Sequence, residues 1–107
     1  QLFDALAALT RPGEDAIRIV PGLDPDGLHR LAARLTEATD GLCAALTPNE
    51  KGTGYCLAQA NGDVRALTKA LNTALSGRGG GKPGICQGSC AAAPEEVEKF
   101  LKENHEL

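Results

Sequence analysis

Asp63-Val64-Arg65-Ala66-Leu67-Thr68-Lys69-Ala70-Leu71-Asn72 leads within a few residues into Gly77-Arg78-Gly79-Gly80-Gly81-Lys82-Pro83-Gly84-Ile85-Cys86-Gln87-Gly88-Ser89, and these two segments together decide how the chain reads. In the first, Val64, Leu67, Leu71 and Leu75 recur at intervals of three and four, with Ala70 and Ala74 beside them. That spacing places one apolar stripe on a helix, and Asp63 stands where a capping acceptor is wanted. In the second, Gly77 to Gly84 has the composition of a loop, and Ile85 to Ala91 reads as a short extended strand. The unit is helix, glycine-rich loop, strand.

Working toward the N-terminus, Leu42–Leu46 and Tyr55–Ala60 are short apolar runs separated by Thr47-Pro48-Asn49-Glu50-Lys51-Gly52, a pattern that predicts an antiparallel hairpin. Before it, Asp24-Pro25 opens an amphipathic helix with an acceptor at the cap and proline in the first turn, and Leu28, Leu31, Ala32 and Leu35 share one face. Ala16 to Val20 is a β-branched run closed by Pro21-Gly22, hence a strand. Residues 1–13 read as the end of a helix linking to a preceding domain, ending at Arg11-Pro12-Gly13. Toward the C-terminus, Pro94-Glu95-Glu96 starts a last helix with Val97, Phe100 and Leu101 inward. The expected fold is α/β (α+β): a single domain over residues 14–107, with a mixed sheet packed by helices and the glycine loop between the penultimate helix and the last strand. Gln1 enters in mid-pattern, which suggests a domain within a longer protein.

Composition narrows the function. The 107 residues are 42% hydrophobic but hold only 2 Phe and 1 Tyr, with no Trp or Met, so the core must come from Leu, Ala, Val and Ile. A single-strand binder built on stacked aromatics is disfavoured. The net charge of −3 argues against binding nucleic acid through bulk charge, so any phosphate recognition must be local. Glu95, Glu96, Glu98, Glu103 and Glu106 crowd the C-terminal segment, away from the basic loop. Cys43, Cys56, Cys86 and Cys90 form no CxxC and have no histidine at zinc spacing, which predicts reduced, buried thiols and no metal site. Cys86 and Cys90 are the pair open to oxidation. No run is long and apolar enough to span a membrane, and a membrane partner is not expected.

Chemistry concentrates in the glycine segment. Glycine permits positive φ, close backbone approach and exposed N–H groups that cup an anion. Arg78 and Lys82 flank Gly79, Gly80 and Gly81 with positive charge, and Gln87 and Ser89 add neutral donors and acceptors. Arg65 and Lys69 on the preceding helix extend the same candidate surface. Composition leaves two uses open: phosphate or RNA contact, or a loop passing tightly against another element. A Walker loop is excluded, because its first position is Ser76 and Lys82 is followed by Pro83. His29 and His105 are isolated, and no nucleophile–base pair or carboxylate pair is legible, so no catalytic residue is assigned.

The helix, the glycine-rich segment and Gln87-Gly88-Ser89 resemble the DHH-associated domain that ends alanyl-tRNA synthetases and the longer AlaX-type alanyl-tRNA editing proteins. The likeness covers roughly residues 15–105, with the loop as its diagnostic part. The shorter glycine run ending in Lys82-Pro83 is more similar to the AlaX-type editing proteins than to the synthetases. The relative appended to DHH-type phosphoesterases carries a Gly-Gly-His element, and this chain has no histidine there. The resemblance implies a cytoplasmic parent that handles alanyl-tRNA, and alanine-specific tRNA as the partner of this piece, with dimerisation or domain packing as the alternative. It implies no cofactor here: the family's zinc belongs to a separate editing domain with HxxxH and CxxxH elements, neither of which occurs in this sequence.

Overall fold

The computed structural model describes residues 2–105; Gln1 and Glu106, both used in the sequence reading, lie outside the described residues, as does Leu107. In chain order the elements are α1 (Leu2–Ala8), β1 (Ala16–Ile19), α2 (Pro25–Leu35), β2 (Cys43–Asn49), β3 (Gly52–Ala58), α3 (Arg65–Ala74), β4 (Arg78–Lys82), β5 (Ile85–Cys90) and α4 (Pro94–Asn104). They build one five-stranded sheet in the order β1-β2-β3-β5-β4. The β1/β2 pair is parallel, joined through α2, and the other pairs are antiparallel, so the sheet is mixed as expected.

Local chemistry accounts for the ends of these elements. Asp24 Oδ1 accepts from the Gly27 N–H at 2.7 Å, and Pro25 follows as the first helical residue of α2. Helix α2 ends at Leu35, followed by turn-type bonds such as Ala38 N–H to Leu35 C=O. Val64 stands immediately before α3, and Asp63 acts one residue earlier by accepting the Arg65 N–H at 3.0 Å. The hairpin strands run closer to the turn than the apolar runs suggested, leaving only Glu50 and Lys51 between them. Pro48 fits in β2 because β1 stops at the level of Leu46, so no ladder bond is lost on that side.

Both faces of the sheet are covered. On one, α2 packs Leu28, Leu31, Ala32 and Leu35 against Cys43, Ala45, Cys56 and Ala58. On the other, α3 and α4 lay Val64, Leu67, Leu71, Val97 and Leu101 over Leu46, Tyr55 and Leu57. Strands β2 and β3 are therefore buried on both sides, which their small apolar residues allow. Helix α1 sits on α2, where Arg34 pairs with Asp4 at 2.9 Å and the Arg30 guanidinium lies 5.5 Å from the Phe3 ring centre.

One expectation is corrected here. The glycine segment is not a loop: Arg78–Lys82 is an edge strand paired residue by residue with Ser89–Ile85, and only Pro83-Gly84 turns between them. Backbone pairing to β5 decides the matter, and side-chain propensity does not enter. The cysteines are reduced and buried as expected, and Cys86 and Cys90 do not pair. Four residues apart on one extended strand, they stand about 13 Å from each other, beyond bridging range, and all four cysteines are free and buried.

Candidate nucleic-acid interface

Most of the glycines near β4 are explained by what lies beneath them. Gly79 pairs with Gly88, and Gly88 pairs with Tyr55, so the three are stacked across adjacent strands. A Cβ on either glycine would fall 2.7 Å from Tyr55 Oη and closer still to the facing backbone. Gly79 also has φ +155°. A Cβ on Gly81 would meet the Ile85 carbonyl at 2.5 Å, whereas one on Gly80 would meet nothing within 4 Å. Gly79 and Gly88 let the strands close over a tyrosine, Gly81 lets β4 lie close to the β5 backbone, and Gly80 has neither duty.

As an edge strand, β4 has β5 on one side only, and all five of its residues are exposed. Asn72 Nδ2 donates to the Gly79 carbonyl at 3.3 Å, so this carbonyl points away from β5. Side chains alternate between the faces. Gly79 and Gly81 look toward α3, while Arg78, Gly80 and Lys82 look toward the α2 side with their partners Gln87 and Ser89.

This alternation splits the predicted site in two. On the α3 side a groove of about 470 Å³ is lined by Arg65, Lys69, Asn72 and Thr73 together with Gly79, Gly80 and Gly81. Arg65 is engaged there already. Its Nε and Nη2 reach the Asp63 carboxylate at 3.0 and 2.7 Å, and that pairing holds the Asp63 acid down at about 2. Lys69 has no ion-pair partner among the described residues.

On the α2 side a second groove, of about 460 Å³, collects Arg78, Gln87 and Ser89 above Leu23, Leu28 and Pro48. Gln87 Nε2 donates to the Pro25 carbonyl, tying β5 to the start of α2. Lys82 sits at the turn end of β4 and lines neither groove.

Two residues that sequence reasoning missed belong to this side. Lys51 and Ser76 join Arg78 and Ser89 around a depression of about 400 Å³ beside the second groove. Lys51 lies in the β2/β3 turn, held where Asn49 Oδ1 accepts the N–H groups of Lys51 and Gly52 at 2.9 and 2.8 Å. Nothing in linear sequence links it to Arg78; the register of β2, β3, β5 and β4 does. The acidic residues Glu95, Glu98 and Glu103 surround a separate depression on α4. No cluster of three or more His, Cys, Asp or Glu suited to a metal occurs among the described residues. His29 is exposed, and His105 Nδ1 stands 3.2 Å from Asp15.

Fold and surface define a small α/β module with a glycine-built basic sheet edge. The chain belongs to the DHHA1 domain family, whose pattern matches residues 16–107. The C-Ala domain from Aquifex aeolicus alanyl-tRNA synthetase, known from its crystal structure, has the same fold: TM-score 0.73 at 19% identity, over 88% of this chain and 94% of that one. Among curated proteins none gives a significant sequence match. No described helix is long and apolar enough to cross a membrane.

Proposed function

We propose that this domain is a non-catalytic RNA-binding module that contacts the sugar-phosphate backbone of alanine-specific tRNA through the β4 edge, within a cytoplasmic parent that handles alanyl-tRNA. The carrying observation is the set of exposed, unpaired cations around a strand almost free of side chains. Arg78 and Lys82 bracket three glycines, Lys69 faces the strand from α3, and none has an ion-pair partner among the described residues. Three successive residues without side chains let a phosphodiester approach the main chain, and local cations supply the attraction that a net charge of −3 does not. The relation to a synthetase's C-Ala domain supports the same choice of ligand.

The test is a fluorescence-anisotropy titration with alanine-specific tRNA at two salt concentrations. Arg78→Ala with Lys82→Ala is expected to weaken binding and to reduce the slope of log affinity against log salt by about 2. Unchanged affinity and slope remove β4 from the interface.

A packing or dimerisation role is the second reading, and one observation favours it. Leu2 at the start of α1 and Leu9 just past its end are 53% and 74% exposed. Sedimentation showing a monomer at every micromolar concentration would count against it. A nucleotide-holding role like that of the phosphoesterase-appended relatives ranks third, because β4 lacks histidine.

A further inference from the structure

We propose that the α2-side groove and the depression beside it form a subsite for one unstacked RNA nucleotide, its base on the apolar floor and its phosphate between Lys51 and Arg78. The inference rests on the RNA-binding reading and adds to it which face is used and which chemical unit is held.

The two hollows adjoin, since Arg78 and Ser89 line both. Their chemistry differs in the way the two ends of a nucleotide differ. The depression offers two cations, Lys51 and Arg78, and two hydroxyls, Ser76 and Ser89. Neither cation has an ion-pair partner among the described residues. That donor set suits an anion with several acceptor oxygens, with Arg78 able to grip two of them at once.

The groove next to it is apolar where Leu23 and Leu28 of the α2 side line it. Gly54 keeps this floor low: Leu28 Cδ1 and Thr47 Cγ2 already stand 3.3 Å from where its Cβ would be. The rim is polar and made of amides. Asn49 spends its Oδ1 on two backbone N–H groups, which leaves its Nδ2 free to donate. Gln87 spends its Nε2 on the Pro25 carbonyl, which leaves its Oε1 free to accept. One donor and one acceptor at the edge of an apolar slot are what the hydrogen-bonding edge of a base requires, and the Arg78 guanidinium plane offers a surface to stack on. An acidic peptide would satisfy the cations and its main chain could pair with the two amides, but it brings no planar ring that both lies on the Arg78 guanidinium and presents a donor and acceptor edge. A paired base is held inside its helix and cannot enter, so the subsite selects an unpaired nucleotide.

The experiment is a 15N-edited NMR titration of the 107-residue chain with a short unpaired RNA, the same sequence as a duplex, an acidic peptide and alanine-specific tRNA. The unpaired RNA is expected to shift the Asn49 and Gln87 side-chain amides and the Gly54 and Ser89 backbone signals more than the duplex does. Lys51→Ala, at an exposed turn, is expected to weaken unpaired-RNA binding roughly three- to tenfold with the melting temperature unchanged, while Lys99→Ala, on α4 away from both grooves, leaves it alone. If tRNA binds but the shifts fall on Arg65 and Lys69 and Lys51→Ala is silent, the subsite is overturned and the RNA-binding reading survives. If the acidic peptide shifts the same signals at equal affinity, the pocket is a peptide surface and the proposal fails. If neither tRNA nor unpaired RNA binds, both readings fall together.

Discussion

Tyr55 Oη donates a 2.7 Å hydrogen bond to Asn72 Oδ1, joining the buried middle of the sheet to the exposed end of α3. Asn72 passes the connection on through Nδ2 to the Gly79 carbonyl, and its own carbonyl accepts the Gly77 N–H at 2.8 Å. A fully buried side chain thereby fixes the course of the strand that carries Arg78 and Lys82. Tyr55→Phe removes the donor and leaves Asn72 Oδ1 without its buried partner, so a loss of about 1–2 kcal/mol in urea unfolding is expected. A variant as stable as the parent would show that the bond does not anchor β4.

Substitution of the glycines one at a time separates those needed for close approach from those left free. Gly79→Ala and Gly88→Ala each push a methyl into the facing backbone and Tyr55 Oη, and Gly79 also has an unfavourable φ of +155° for an L residue. Each is expected to cost about 2–4 kcal/mol. Gly80→Ala meets open space and should change stability by no more than about 0.5 kcal/mol. Denaturant curves on the three variants decide it, and equal costs would contradict the close approach over Tyr55.

The same residues show what could be read without coordinates. Helices α2, α3 and α4 follow from leucine and valine at intervals of three and four, and the cap Asp24-Pro25 is visible in the sequence itself. The β2/β3 hairpin is visible too, because its strands are apolar and its turn is polar. Strand β4 escapes because three glycines carry no strand propensity; what makes it a strand is the partner β5 and the tyrosine below. One signal was present, namely Pro83-Gly84 as a two-residue turn between Gly81-Lys82 and Ile85-Cys86. The division of the candidate residues between two faces follows only once that strand is recognised. Lys51 lay beyond any local pattern, since its position beside Arg78 depends on the register of four strands.

Buried thiols give the domain an alkaline limit. Burial pushes Cys43 up to about 11 and Cys56 to about 12, and Tyr55 to about 12 as well. Each folded value lies above the ordinary one, so the neutral form is favoured by the fold. The stability this contributes is complete below about pH 9, falls as the unfolded chain ionises first, and is lost once pH passes the folded values. Thermal melting should therefore be flat through neutral pH and drop above about pH 9. Ellman's reagent at about pH 8 should leave all four native thiols untouched and titrate them only in denaturant. A fast-reacting thiol in the native state would show that one of them is reached by solvent.

The Asp63–Arg65 pair sets the strength of the α3-side groove. Arg65 is presented at the groove but held by both carboxylate oxygens of Asp63, whose acid stays ionised down to about pH 2. At any working pH the pair is nearly neutral to an approaching phosphate. Asp63→Asn keeps an oxygen for the Arg65 N–H and removes the charge, so the helix start survives while the guanidinium is released. If RNA passes along this groove, tRNA affinity should rise roughly two- to fivefold, with a salt slope steeper by about 1. Adding Arg65→Ala to that variant should return both quantities to the parent's values. An affinity indifferent to Asp63→Asn would place the RNA on the opposite face of β4, beside Arg78 and Lys51, and leave Arg65 to secure the start of α3.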